Sequence, residues 1–200
     1  GSMIRIGIVG DIGSGKSYVA RKFGYPVFNA DKEVSKLYKK NKKIFNQLKK
    51  ILPKFIQTFP LEKKEIINAI LSNKKNLKKI VTIVHFEIRK KLNAFIKKNQ
   101  NKNIIILDIP LLLENKINKK KDILVFIDSK KSDILKRLKR RPNFNKELFN
   151  RFKKLQLSLV YKKKISHFSI KNNFINKPIE KDVKIILKKI LQYERSNSRY

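Results

Sequence analysis

Apolar residues gather in short runs near the start, middle and end of the chain, and in steps of three and four between them. The runs are Ile4–Val9, Pro26–Phe28, Ile104–Leu107, Ile123–Ile127 and Phe168–Ile170. They are too short for helices, and Ile104–Leu107 and Ile123–Ile127 are apolar at every position, which predicts strands buried on both faces. Each leads into a helical pattern, the first being Lys16–Phe23. The expected fold class is therefore α/β, a parallel sheet flanked by helices.

Between Asp31 and Lys98 the strand pattern lapses. Ile66, Ile67, Ile70 and Leu71 share one stripe, and Leu77, Ile80, Val81, Val84, Ile88 and Leu92 another, with Pro53 and Pro60 as breaks. This predicts a helical insertion over residues 32–98. From Ile179 through Val183, Ile186, Leu187, Ile190 and Leu191 the same spacing predicts a covering helix, with Ser196–Tyr200 frayed beyond it. No repeat or linker divides the chain, so residues 3–200 are expected to form a single domain. Gly1 and Ser2, ahead of a Met, read as an expression scar.

Composition removes several kinds of chemistry. A chain of 200 residues, 41% hydrophobic, suffices for one sizeable core. With no cysteine there are no disulfides, thiolate nucleophiles or cysteine metal sites, and two histidines do not make a histidine metal cluster. The richest apolar stretch, Ile104–Leu113, is interrupted by Asp108 and Pro110 and is too short to span a membrane. Nothing before Ile4 resembles a signal peptide, and a cytoplasmic location is expected. The net charge is +36, but its lysines are spread along almost the whole chain among Asn and Ile. Solvated faces are the expectation, with weak nucleic-acid binding at low salt and no specific nucleic-acid partner.

The stretch "GDIGSGKS" follows the first strand and opens the first helix. It fits GxxxxGK[ST] with Gly10, Gly15, Lys16 and Ser17, while Asp11, Ile12, Gly13 and Ser14 fill the loop and Tyr18 follows it. Glycines let successive amides face a triphosphate, and the helix adds its positive end. Lys16 has the reach for the β and γ phosphates, and the Ser17 hydroxyl suits a magnesium ion. Binding of ATP or GTP with Mg2+ is the expectation.

Other candidates each carry two readings. Asp31, after the second strand, is placed to take a proton from an acceptor hydroxyl or to cap a helix over Lys32–Tyr38. Asp108, ending a buried strand, is a Walker B carboxylate or a turn residue. Arg137 and Arg141 lie four apart on an expected helix, as a clamp on phosphates or as surface arginines. His85 sits in an apolar helical stripe, where a packed core histidine competes with a ligand-binding one. His167 has no partner motif and is assigned no role.

Taken in order, "GIVGDIGSGKS", "PVFNAD", "LEKKEI", "HFEIR", "LDIPLLLE", "RLKRR" and "QLSLVYKK" resemble the dephospho-CoA kinase family over about residues 4–173. The resemblance implies a P-loop kinase-like sheet with a helical acceptor-binding insertion and a helical lid over 137–156. It implies ATP-dependent phosphorylation of the ribose 3′-hydroxyl of dephospho-coenzyme A. Asp31 would be the base, Arg141 a lid group on the phosphates, Lys63, His85 and Arg89 would lie toward the acceptor, and Asp108 near the acceptor ribose or the metal. The family usually has Asp where Asn29 stands, Pro for Phe86, Arg for Lys63, Gly for Asp11 and Thr for Tyr18. Two other functions fit the loop: another small P-loop nucleoside or nucleotide kinase, and a nucleic-acid-binding P-loop protein.

Overall fold

The computed structural model describes residues 2–197, apart from the Asn176 side chain. In chain order the elements are β1 (Ile4–Gly10), α1 (Lys16–Lys22), β2 (Val27–Asn29), α2 (Ala30–Lys40), α3 (Lys42–Ile51), α4 (Lys63–Ser72) and α5 (Asn76–Lys98). They continue with β3 (Ile104–Asp108), β4 (Ile123–Asp128), α6 (Lys131–Lys139), α7 (Lys146–Lys153), α8 (Leu159–Ile165), β5 (Phe168–Lys171) and α9 (Asn176–Asn197).

The strands form one sheet in the order β2-β3-β1-β4-β5, every neighbouring pair parallel. A parallel sheet hides both faces, and β3 is buried at all its positions, Ile104–Asp108. From the central strand β1 the chain first runs to one edge, whereas β4 and β5 extend to the other. Such a reversal opens a crevice beyond the carboxyl ends of the strands.

Contacts group the chain into two compact units, one holding residues 2–29, 96–142 and 157–197 and the other 30–95 and 143–156. In the sheet unit, Ile6, Ile8, Ile104, Ile106, Val125, Ile127 and Ile170 pack with Val19, Ala20 and Phe23 of α1 and with Ile179, Val183, Ile186 and Ile190 of α9. Burying one such aliphatic side chain stabilises by about 1.5–3 kcal/mol. Of the expected covering stripe on α9, Ile179, Val183, Ile186 and Ile190 are buried, while Leu187 and Leu191 are half-buried at its margin.

In the helical unit α5 buries Leu77, Ile80, Val84, Ile88 and Leu92, as its spacing predicts, with Val81 only half-buried. On α4 the buried positions are Ile66, Ala69 and Ile70, while Ile67 and Leu71 are half-buried, so the stripe lies slightly round from the predicted one. The carboxyl end of α4 has no basic residue of its own. Arg151 of α7 supplies one, donating from Nη1 to Ile70 O at 2.9 Å, and Asn76 Nδ2 donates to Ala69 O at 2.8 Å. Both satisfy carbonyls that a helix end leaves unpaired.

Three boundaries differ from expectation. Helix α6 stops at Lys139 with Arg140 as its cap, so Arg141 stands past the helix, in a bend before Pro142, its amide bonded to Leu138 O at 3.1 Å. A residue preceding proline is pushed away from helical backbone, which accounts for the early stop. Helix α9 continues through Ser196 and Asn197, which were expected to fray; residues 198–200 of that segment lie outside the described residues, as does Gly1 of the scar. Helix α2 begins at Ala30, so Asp31 is inside its first turn and does not cap it.

Candidate active site

The loop between β1 and α1 owes its course to glycine. Gly13 has φ 76° and Gly15, the residue capping α1, φ 90°, both in the left-handed region that favours glycine. Space points the same way: a Cβ on Gly15 would run into the Asn172 side chain, and one on Gly13 would stand 3.1 Å from Ile134 Cγ2. Behind the loop, Ser14 O accepts from Ser129 Oγ and from Asn172 Nδ2, each at 2.9 Å. In a trans peptide the carbonyl and the following amide point oppositely, so anchoring Ser14 O inward turns Gly15 N–H outward to the loop mouth. Lys16 Nζ donates to Asp11 O at 2.8 Å and Gly10 O at 3.4 Å, which holds the ammonium across that mouth. The Asp11 carboxylate is buried and accepts from Ile12 N at 2.8 Å, taking up one loop amide itself.

At the foot of α1 the Ser17 hydroxyl donates to Asp108 Oδ2 at 2.6 Å, and Asn29 Nδ2 donates to the same oxygen at 3.0 Å. Asn29 and Asp108 are register partners at the ends of β2 and β3. Hydroxyl and carboxylate oxygens this close are hard donors of the kind magnesium prefers, so Ser17 and Asp108 fit the ion that a nucleotide carries. Asp108 is buried at 4% exposure, which is unlike a solvated turn residue.

Arg137, in the last turn of α6, lies with its guanidinium carbon 4.1 Å from the centre of the Phe174 ring. Phe174 has φ 68°, unusual for a bulky residue. Its amide donates to Asn172 Oδ1 at 2.9 Å, and its ring would be 3.4 Å from a Cβ on Gly15. The ring thus stands beside the phosphate loop. Tyr18 packs half-buried on the sheet core with Lys22 Nζ 5.0 Å from its ring centre.

The remaining candidates lie in the helical unit, Arg141 excepted. Asp31 is exposed in the first turn of α2, where a carboxylate also suits the helix dipole. Lys63 is exposed at the start of α4. On α5, Arg89 Nε donates to His85 Nε2 at 2.8 Å, so His85 is not a sealed core histidine but a half-buried acceptor. Burial, and then the Arg89 charge, hold the His85 pKa below its usual 6.5. Lys16, Ser17, Asp108 and Arg137 are gathered in the sheet unit around one loop. Arg141 is exposed beyond α6. His167 pairs both ways with Leu124, Nδ1 accepting its amide at 2.9 Å, a sheet-edge role.

A phosphate loop after the central strand of a five-stranded parallel sheet, backed by a strand-end aspartate, defines a P-loop kinase. The family model of dephospho-CoA kinase matches residues 4–177, and the chain belongs to that family. The dephospho-CoA kinase of Wolbachia pipientis wMel is 33% identical over 187 residues, covering 91% of this chain and 95% of its own. That of Rickettsia felis is 32% identical over 196 residues, 94% of this chain and 100% of its own. Among solved structures, a Thermus thermophilus protein superposes with a TM-score of 0.75 at 24% identity, covering 94% of this chain and 98% of its own. Shikimate kinase from Bacteroides thetaiotaomicron shares the fold with a TM-score of 0.52 at 15% identity, over 96% and 99% of the two chains.

Ser129, Asn172 and Phe174 did not emerge from the sequence, although each follows the carboxyl end of β4 or β5. Ligands of open α/β sheets collect at those ends, and scanning polar and aromatic residues there would have found all three.

Proposed function

We propose that this protein transfers the γ-phosphoryl group of ATP to the ribose 3′-hydroxyl of dephospho-coenzyme A, giving coenzyme A and ADP. The observation that carries it is membership of the dephospho-CoA kinase family over residues 4–177, joined to a complete phosphate loop. The 3′ oxygen attacks phosphorus as the bond to the β–γ bridging oxygen breaks, and the hydroxyl proton passes to Asp31. Such a transfer needs mainly positioning and charge neutralisation. The outward-turned Gly15 amide and Lys16 take the β and γ phosphates, and Arg137 and Arg141 share the developing charge. Magnesium bound with the nucleotide would add neutralising charge, and Ser17 and Asp108 are the residues that would hold it. Phe174 stacks on Arg137 and so steadies that guanidinium beside the loop.

Residues 32–98 form the acceptor-binding insertion, and residues 137–156 act as the lid region. Within the insertion Arg89, oriented by His85, and Lys63 meet the anionic groups of the acceptor. Two compounds separate this reading from a nucleoside kinase: ADP release should rise with dephospho-coenzyme A and not with nucleosides, and mass spectrometry should find a product heavier by one phosphate. ADP release driven equally by nucleosides would refute the assignment.

A further inference from the structure

The helical unit carries an apolar groove that the phosphoryl transfer does not use. It lies between α3 and α5, is open to solvent, has a volume of about 480 Å3, and is lined by Gln47, Lys50, Ile51, Thr82, Ile83 and Phe86. Phe86 is 59% exposed and Ile51 38%. Successive residues of a helix turn by about 100°, so Thr82, Ile83 and Phe86 stand roughly a quarter-turn round α5 from the His85–Arg89 pair. They are also off the buried stripe of Leu77, Ile80, Val84, Ile88 and Leu92.

The rim of the groove has one sign of charge. Lys90 Nζ lies 4.8 Å from the centre of the Phe86 ring. Lys79 precedes Thr82 and Ile83 by three and four residues, and Lys43 precedes Gln47 by four, so both continue the groove-lining faces of their helices. Helix α3 has no acidic residue, and the only one on α5, Glu87, is buried and shared between Lys43 at 3.7 Å and Lys90 at 3.5 Å.

An occupant that fits must bring apolar side chains in a line and negative charge on either side of it. A nucleic acid would answer the lysines but leave Phe86 and Ile51 in water. A bilayer surface would meet Phe86 but is too flat to fill a groove between two helices. A second copy of this chain, with 51 basic residues against 15 acidic, brings the wrong sign. We propose that the groove between α3 and α5 is a docking site for an acidic amphipathic helix of a partner protein, its apolar side chains entering beside Phe86 and Ile51 and its carboxylates facing Lys43, Lys50, Lys79 and Lys90.

The probe is a labelled synthetic helix of about five turns, roughly 18 residues, with Leu at spacings of three and four and Glu between them. It is titrated with the full chain at about 0.15 M ionic strength, and fluorescence anisotropy reads its dissociation constant. It should bind about tenfold or more tightly than a peptide of the same composition with its Leu positions scrambled, because charge is common to both and only the apolar line differs. Phe86→Ser should bring the two peptides level, and Phe86→Leu should keep the preference. Equal binding of the two peptides to the wild type would overturn the proposal, and that result needs no variant. So would a Phe86→Ser variant, folded by circular dichroism, that keeps the preference. Sedimentation with phosphatidylglycerol vesicles that Phe86→Ser abolishes, with no preference between the peptides, would give the face to a bilayer and overturn the proposal as well. A chain that fails to phosphorylate dephospho-coenzyme A would sink the kinase assignment without moving the peptide titration, and the reverse holds too.

Discussion

Lys162 Nζ lies 2.6 Å from Glu114 Oε2, with the two side chains only 4% and 8% exposed. The same Oε2 accepts from Leu157 N at 2.8 Å. Glu114 closes the "DIPLLLE" stretch that begins at Asp108, and Leu157 is where the chain returns to the sheet unit after residues 143–156. One buried carboxylate therefore ties together two segments distant in sequence.

Removing one partner of such a pair strands a charge without water. Lys162→Ala is expected to cost about 3–5 kcal/mol, seen as a fall in the urea midpoint at unchanged slope. The double variant Glu114→Gln with Lys162→Met should lose less than the single one, because no buried charge is left over. A single substitution costing less than about 1 kcal/mol would place the pair among ordinary solvated ones.

Lys16 and Asp31 should fail differently. Lys16 is held over the loop mouth by Asp11 O at 2.8 Å, and Lys16→Ala removes a preorganised charge. Turnover should fall about 100-fold or more, with a weaker hold on ATP. Asp31 is exposed on α2, so Asp31→Asn should leave the melting curve in place. Its kcat should fall by about 100-fold to 10,000-fold while KM for ATP stays near wild type. Steady-state kinetics on both variants, beside their circular dichroism, check this contrast.

The sheet was readable because β3 and β4 are unbroken apolar runs of Ile, Leu, Val and Phe up to their final aspartates, a pattern two-sided burial imposes. The phosphate loop was readable because its residue types are dictated by backbone geometry. Arg141 was misplaced because proline acts on the preceding residue, a local effect that a spacing of four conceals. The clamp of Ser129 and Asn172 on Ser14 O joins residues 115 and 158 apart in sequence, and only the sheet order brings them together. Asn29 was visible as a residue, but its bond to Asp108 depends on strand register.

Gly15 should tolerate no side chain. Its φ of 90° strains an L-residue, and the new Cβ would strike Asn172, whose amide anchors the loop. Gly15→Ala should therefore cost about 1–3 kcal/mol from backbone strain, with the loss of the loop geometry added to it. Titration with a fluorescent ATP analogue should show binding reduced far more than stability. Near-normal nucleotide affinity in this variant would mean that the loop amides are not set by Gly15.

His85 provides a pH test. Arg89 Nε donates to its Nε2 at 2.8 Å, which requires that nitrogen to be unprotonated. Burial first and Arg89 second keep the folded pKa below the usual 6.5. The unfolded chain therefore takes up the proton more readily, so the stabilisation is complete above pH 6.5 and is lost as pH falls through the lower, folded value. His85 is half-buried, and the change should be small. His85→Gln keeps an acceptor for Arg89 without a titrating proton, so its stability should not share this fall. If Arg89 holds the acceptor, KM for dephospho-coenzyme A should climb over the same window in the wild type and stay flat in the variant. Denaturation midpoints and KM measured at several pH values would decide it, and parallel profiles for the two proteins would remove His85 from any part in orienting Arg89.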